Sequence, residues 1–590
     1  MVGFLHWSKS IALGTLNGIA KVALFLVILL LVLLVVGMVQ GDGLPDKMVL
    51  TADLRQSLPD SDRPGPFDVG RKATIMDFVL TLDRASRDSR VKGLFVRVGD
   101  GGLSVPAAEE LAAAIRRFRD SGRFVIAHSQ GFDSGGMGDY LAASAANEIW
   151  MQPKATFGAA GAGAGSIFLR GLFDKIQAQP QMVKRTDYKS AADMFMEKDY
   201  TVPDREQTTA FLHSWYASAT EGAASQRKLT PQLVAATFDQ SPQFAEDALR
   251  ARLIDRIGYD DDAKDAAMAR AGAAKPISIR KYERSYTDVG PATRPQIAVV
   301  EAAGEISEGG SYSSAFGDGT GIASDDYATA IRDAARDPDV KAIVLRVDSP
   351  GGSVSASDQI LHALEKARHA GKPVVVSMGT LAASGGYYIS CFADRIVAEP
   401  GTLTGSIGVL TGKVSFGKSA GLLGVGVDQI GVGKNALMDS AISPYTDDQL
   451  KNLNHQADVI YADFLQKVAT GRKLPLAQVQ NIAKGRVWTG ADAKSRGLVD
   501  ELGGFWTAVA AAKKLTGIAA NEDVSFKIYP KRASFFTALA SAFSGTAAGV
   551  RAMQGVAAIE RLPVARAVMG AMMESAESGV RMKADNLPIN

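Results

Sequence analysis

Two distant stretches of this chain carry the same succession of apolar and polar positions. The first opens at Arg90 as RVKGLFVRV and the second at Asp339 as DVKAIVLRV. Each contains an apolar run of strand length, and each is followed by a glycine turn. Next comes a segment whose apolar residues drift around one face of a helix. Leu361, Leu364 and Ala367 mark that face in the second copy, and Gly371-Lys-Pro ends the helix. A second apolar strand follows, and the copies run on to matching tails, ANEIWMQP ending at Pro153 and ADRIVAEP ending at Pro400. Strand–helix–strand units of this kind predict parallel sheets with right-handed crossovers. The period is far longer than that of a solenoid, so it reads as a duplication. The expectation is an α/β chain of two homologous halves, 45–290 and 291–530, with the linker at 287–295.

Outside the halves the pattern changes. Residues 22–39, VALFLVILLLVLLVVGMV, carry no charge and are enough to span a bilayer as a helix. Lys9 and Lys21 precede the run and the first charge after it is Asp42, which predicts a cytoplasmic segment 1–21 and everything after Gly41 on the far side. A cleaved signal peptide is the alternative. The run is longer than the usual hydrophobic region of one, and MVQGDG is a poor cleavage site, so a retained anchor is the expectation. In the tail 531–590, SFFTALASAF sets Phe535, Phe536, Leu539 and Phe543 near one helical face. That face suits packing on the second half or a neighbouring subunit, with membrane-surface contact as the other reading.

Composition narrows the function. At 590 residues the chain is too long for one core. A net charge of +2 with 22% charged residues gives no reason to expect nucleic acid as a partner. The single cysteine, Cys391, excludes an intramolecular disulfide and a multi-cysteine metal site. Its apolar neighbours in ISCFAD predict a buried small hydrophobe.

The chemistry gathers in the second half. Asp348-Ser-Pro-Gly-Gly-Ser ends a predicted strand, where ligand and catalytic groups collect in open α/β sheets. Gly351 and Gly352 leave room for a substrate carbonyl, and their amides are candidate oxyanion donors. TLAASGGYYIS follows the next strand and starts a helix, with Ser384 as a candidate nucleophile or helix cap and the Gly385 amide as a second donor. TLTGSIGV places Ser406 in another glycine turn. A serine nucleophile needs a base, yet none of the six histidines (His6, His128, His213, His362, His369 and His455) falls in these motifs. His362 and His369 are expected on the 353–370 helix, exposed or packing. Lysine remains as the base, provided burial brings its pKa down far enough to accept a proton. The repeat narrows the choice to Lys189 in RTDYKSAADMF and its rough counterpart Lys434 in VGKNALMDS.

Taken together, DSPGGSV, AASGGYYIS, LTGSIGV, DYKSA and GRVWTGADAKSRGLVDELGG resemble the signal peptide peptidase A family in its long, duplicated, membrane-anchored form. These are serine peptidases of the ClpP/crotonase-type fold. The resemblance covers residues from about 20 to 515. It implies Ser384 as nucleophile, Lys189 as general base, Ser406 as the hydroxyl that orients the lysine, and Gly352 and Gly385 as oxyanion amides. It implies no metal or cofactor. It further implies cleaved signal peptides and other unfolded apolar chains as substrates, a bowl-shaped homotetramer, and a single-pass place in a bacterial inner membrane with the catalytic region periplasmic. Nucleophile and base would then come from different halves. In the first half DSPGGS has become GDGGLS, with Leu103 in place of Gly352. Its own SGG is out of register: Gly135 or Met137 falls opposite Ser384, which leaves Ser134 as a loop serine. Lys434 lacks the flanking tyrosine and serine of YKSA, which favours Lys189. A crotonase-fold acyl-CoA hydratase or hydrolase and a silent peptide-binding scaffold are the competing readings.

Overall fold

The computed structural model describes residues 43–56, 58–61, 73–99, 102–132, 136–285, 294–310 and 321–530, and the backbone of 581–583. The apolar run at 22–39, Ser134 and the aromatic tail at 535–543 lie outside the described residues. Among the described residues, no helix is long and apolar enough to cross a membrane.

The strands before residue 290 are β1 (Met48–Asp53), β2 (Val91–Val98), β3 (Phe124–Ser129), β4 (Glu148–Met151), β5 (Thr156–Phe157), β6 (Gln179–Arg185), β7 (Gln243–Phe244), β8 (Arg256–Ile257) and β9 (Lys275–Ser278). Those that follow are β10 (Gln296–Ala303), β11 (Ile306–Ser307), β12 (Ile322–Ala323), β13 (Val340–Ser349), β14 (Gly351–Ser353) and β15 (Val374–Ala383). Then come β16 (Arg395–Ala398), β17 (Leu403–Gly405), β18 (Val409–Ser415), β19 (Val487–Thr489), β20 (Glu501–Leu502), β21 (Ser525–Tyr529) and β22 (Arg581–Lys583).

The duplication is visible in strand order. The first sheet runs β9-β1-β2-β3-β4-β8, with every neighbour parallel. The second contains β21-β10-β13-β15-β16-β20 in the same order, again parallel. The long helices repeat as well. Val202–Arg227 and Asp447–Arg472 each have 26 residues, and each starts with a threonine hydroxyl capping a backbone amide. Each ends on a lysine in the left-handed conformation.

Side-chain alternation explains how the second sheet is covered. Ile297 and Val299 point into one core, shared with the first half's helices, while Ala298 and Val300 point into the other. Burial of both faces is what an apolar parallel strand requires. The halves are also joined by charge. Arg346 on β13 is buried and donates to both carboxylate oxygens of Asp60, to Glu110 Oε2 at 2.8 Å and to Ser377 Oγ at 2.9 Å. Asp60 and Glu110 belong to the first half. Removing one partner of such a buried pair costs about 3–5 kcal/mol, because the other charge stays buried.

Two departures from plain parallel pairing position the functional residues. β15 begins beside β16 and ends beside β17, where Ala383 lies opposite Gly405. This brings the residues after both strands, Ser384 and Ser406, side by side. The third sheet, β12-β11-β14-β22-β18-β6, takes a strand from the first half. There β6 runs antiparallel to β18, with Arg185 opposite Val409 and Gln179 opposite Ser415. The chain leaving β6 therefore enters the second half close to Ser406.

Candidate active site

Lys189 follows β6 by four residues, and that short reach carries it into the second half. Its Nζ donates to Ser384 Oγ at 2.8 Å, to Ser406 Oγ at 2.9 Å and to the Ser406 carbonyl at 3.1 Å. All three residues are buried. Two glycines make room for the lysine. A Cβ on Gly485 would lie 2.7 Å from Lys189 N and 2.8 Å from its Cβ, and one on Gly408 would lie 3.3 Å from its Cδ. The sequence offered Gly485 only as the first letter of GRVWTG, with nothing to say that it opens space for a side chain from the other half.

Ser384 occupies a sharp corner. Its φ of 57° and ψ of −116° lie where non-glycine residues seldom go, a conformation that costs on the order of 1–3 kcal/mol and persists only when surroundings impose it. The restraint is visible: Ser384 N donates to Gly405 O at 2.8 Å, and Tyr388 N donates to Ser384 O at 2.9 Å. Ser384 precedes a helix, as a cap would, but its side chain caps nothing and goes to Lys189 instead. The helix expected here is one turn, Gly385–Tyr388. So short a helix supplies individual amides rather than a macrodipole. Ser406 is bent likewise, with a φ of 50° after Gly405 at 79°.

The glycines of both motifs pack on one another. A Cβ on Gly385 would lie 3.0 Å from Gly351 Cα and 3.1 Å from Gly352 N, and one on Gly386 would lie 2.8 Å from Ser349 O. Gly352 has a φ of 151°, and a Cβ there would meet Ile306 O at 2.0 Å. Ser349 Oγ accepts the Gly351 amide at 3.1 Å. Asp348 links the strands leading into the site by accepting the Leu381 amide at 2.9 Å. Burial, with Asp60 nearby, pushes its carboxyl up to about 6.

β22 borders this turn. Its backbone lies antiparallel to β14, with Met582 opposite Gly352, and Arg581 lies opposite Leu410 of β18. An extended peptide therefore fits between the glycine turn and β18.

The remaining candidates lie elsewhere. Lys434 is exposed and pairs with Asp448 at 2.6 Å. His213, His362, His369 and His455 are exposed. His128 is buried on β3 of the first sheet, 3.2 Å from Gly258 O, and burial lowers its pKa. The Cys391 thiol is buried and pushed up to about 12 by desolvation. In the first half Leu103 is buried and the residue capping the helix Met137–Ser144 is Gly136. Counting without gaps from Pro153 and Pro400 puts the buried Ala159 opposite Ser406. Among the described residues, no group of three or more His, Cys, Asp or Glu side chains is arranged to hold a metal.

Comparison with known proteins places the chain in a family. The model of Peptidase family S49 matches residues 117–274 and 366–519, one match in each half. Protease 4 of Salmonella typhi is 35% identical over 457 residues, 75% of this chain and 72% of the relative. Serine protease SPPA, chloroplastic, of Arabidopsis thaliana is 30% identical over 499 residues, 83% of this chain and 72% of the relative. Protease 4 of Haemophilus influenzae is 32% identical over 466 residues, 76% and 74% of the two chains. With its duplicated match and these relatives, the chain belongs to peptidase family S49 and is a serine-type peptidase.

Proposed function

We propose that Ser384 is the nucleophile and Lys189 the general base of a peptide-bond hydrolase whose site is shared between the halves. One observation carries the proposal: Lys189 Nζ donates to Ser384 Oγ at 2.8 Å inside a buried pocket. The base must be the neutral amine, and burial disfavours the ammonium form. Ser384 Oγ attacks the scissile carbonyl carbon as its proton passes to Lys189 Nζ. The carbonyl π pair moves onto oxygen, where the Gly352 and Gly385 amides receive the negative charge. The C–N bond then breaks, and the Lys189 ammonium returns its proton to the leaving amine. Water repeats the sequence on the ester, with Lys189 taking its proton and Ser384 departing with it. Ser406 acts throughout as the positioning residue that keeps Nζ aimed at Oγ.

The substrate lies extended between β14 and β18. The antiparallel place that the chain's own residues 581–583 take there supports this path. Signal peptides released from precursors, and other unfolded apolar chains, fit such a path, since a site that binds backbone as a strand asks for little side-chain identity. The 22–39 run supports a single-pass anchor in a bacterial inner membrane, with the N-terminus cytoplasmic and the catalytic region on the outer face. The protein works as a homotetramer whose sites face an enclosed space. The fold is of the ClpP/crotonase type.

A fluorophosphonate probe tests the assignment. The unaltered protein is expected to be labelled and to cleave an unfolded apolar peptide, while Ser384→Ala does neither and still folds. Equal labelling of both proteins would place the nucleophile elsewhere, and no labelling or cleavage by either would leave a silent scaffold.

A further inference from the structure

The lysine that crosses between the halves sits on irregular backbone. Lys189 has a φ of −78° and a ψ of 77°, and it precedes the single tight turn Ser190–Ala192. Chain of this kind does not aim a side chain by itself. A reacting group placed to a fraction of an ångström needs neighbours that fix the backbone beneath it.

The long helix Val202–Arg227 provides one. Gln207, Phe211 and Trp215 lie four residues apart on one of its faces, and all three are buried. Phe211 and Trp215 belong to the core, but the head of that stripe carries an amide. Gln207 is 1% exposed and has partners at both ends of its side chain. Its Nε2 donates to the Tyr188 carbonyl at 3.1 Å, to Ser190 Oγ at 2.9 Å and to Asp204 Oδ1 at 3.0 Å. Its Oε1 accepts the Val487 amide at 3.2 Å. A carbonyl only accepts and a backbone amide only donates, so Gln207 has one orientation.

These partners bracket the dyad. Tyr188 and Ser190 flank Lys189 in the chain. Val487 opens β19, opposite Gly405 of β17, and the residue before it, Arg486, accepts the Ser406 amide on its carbonyl at 2.8 Å. One buried side chain thus ties the backbone around the lysine to the strand that holds Ser406. Glu206 spans the same gap outside, accepting from Tyr188 Oη at 2.7 Å and from Arg486 Nη1 at 2.6 Å. It is exposed, and exposed ion pairs contribute little. The repeat provides a contrast. Counted from the caps Thr201 and Thr446, Lys189 falls opposite Lys434 and Gln207 opposite Asn452. Lys434 and Asn452 are both exposed. The buried amide occurs where the buried lysine occurs.

We infer that Gln207 is a positioning residue for the hydrolysis, holding Lys189 Nζ on Ser384 Oγ through the backbone on both sides of the lysine. This rests on the assignment of Lys189 as the base. Because Gln207 acts through the lysine, its loss slows the chemical step and leaves peptide binding alone.

The test uses Gln207→Met in the full chain in mild detergent, a change that keeps the length of the side chain and removes its hydrogen bonds. Turnover of an unfolded apolar peptide is expected to lose about 10–100-fold in kcat, up to the scale of a 1 Å misplacement, with KM within about twofold. Titration with the fluorophosphonate probe to its endpoint should count as many serines as in the unaltered protein, labelled more slowly. Should the endpoint fall, Gln207→Glu takes its place, since a carboxylate of the same shape still accepts from Val487 and has no N–H for Tyr188. The deciding arm repeats the change in the Lys189→Ala background. There it should lower the residual labelling rate by no more than about twofold, because the group it positions is gone. An equal loss with and without the lysine, or an unchanged kcat in the single variant, would remove the positioning role and leave the base in place. Full turnover by Lys189→Ala would overturn the base, and the role of Gln207 with it.

Discussion

The two halves have the same strand order and the same pair of 26-residue helices, but their pockets have diverged in opposite directions. In the second half, β13 is followed by two glycines, Gly351 and Gly352, β15 by the strained Ser384, and β17 by Ser406. At the corresponding places the first half has Leu103, Gly136 and Ala159. In the second half Lys434, the rough counterpart of Lys189, stands exposed and paired with Asp448. Each half has kept what the other lacks, and the antiparallel β6–β18 joint brings the two sets together. Under the proposed Ser384–Lys189 assignment, the duplication divides one site between the two halves.

The sharpest way to break this asymmetry is to exchange the roles of the lysines. Lys189→Ala is expected to lose about 10²–10⁴-fold in kcat/KM on an unfolded peptide, the usual contribution of a general base. Lys434→Ala should stay within about twofold, since general-base losses of that order need a group in reach of the reacting proton. Steady-state turnover of both variants, with circular dichroism to confirm folding, decides the matter. Activity lost in Lys434→Ala and kept in Lys189→Ala would reverse the assignment.

A smaller effect is expected at the glycine turn. In Gly352→Ala the new Cβ would meet Ile306 O at 2.0 Å at a φ of 151°, so the turn must shift and its amide with it. Losing one oxyanion donor costs about 10²–10³ in kcat. Leu103→Gly in the first half should restore nothing, because Gly136 and Ala159, at the places of Ser384 and Ser406, carry no hydroxyl. A kcat for Gly352→Ala equal to that of the unaltered enzyme would remove this amide from the oxyanion role.

How much of this could be read from the chain depends on sequence distance. The strand–helix–strand units, the parallel sheets and the helix that follows Ser353 are local patterns, and each is legible as periodicity. The residues that meet in the site were legible only as types in motifs. Nothing in DYKSA states that a lysine crosses to a serine 195 positions away; the β6–β18 register does that, and antiparallel pairing between halves leaves no periodic trace. Glu109 and Glu110 were equally opaque. In SVPAAEELAAAI they look like a solvated stripe on an amphipathic helix, yet both are buried because the second half covers that face. Burial by a distant partner is the property that a single sequence conceals.

Glu109 offers the finest contrast between the halves. Counting from Val105 and Val354, its counterpart is Asp358, which accepts from Tyr388 Oη at 2.9 Å at a partly exposed position. Glu109 itself accepts the Gly401 amide at 2.9 Å and the Ser218 hydroxyl, and so holds the turn that leads into β17. Desolvation, with Glu110 adjacent, pushes its carboxyl from 4.5 up to about 7. Burial likewise raises Glu399 and, to about 6, Asp348. The sign follows from proton uptake: between the ordinary value and the raised one, the folded chain holds protons that the unfolded chain has released. The stabilising contribution is complete below about pH 4.5 and is lost as pH rises through about 7. The melting temperature should therefore fall as pH rises from about 5 to 8. Glu109→Gln, which keeps an acceptor for Gly401 but cannot ionise, should flatten part of that slope and leave the share due to Asp348 and Glu399. Thermal melts of both proteins across that range provide the check, and parallel curves would mean that Glu109 ionises as readily in the fold as in the unfolded chain.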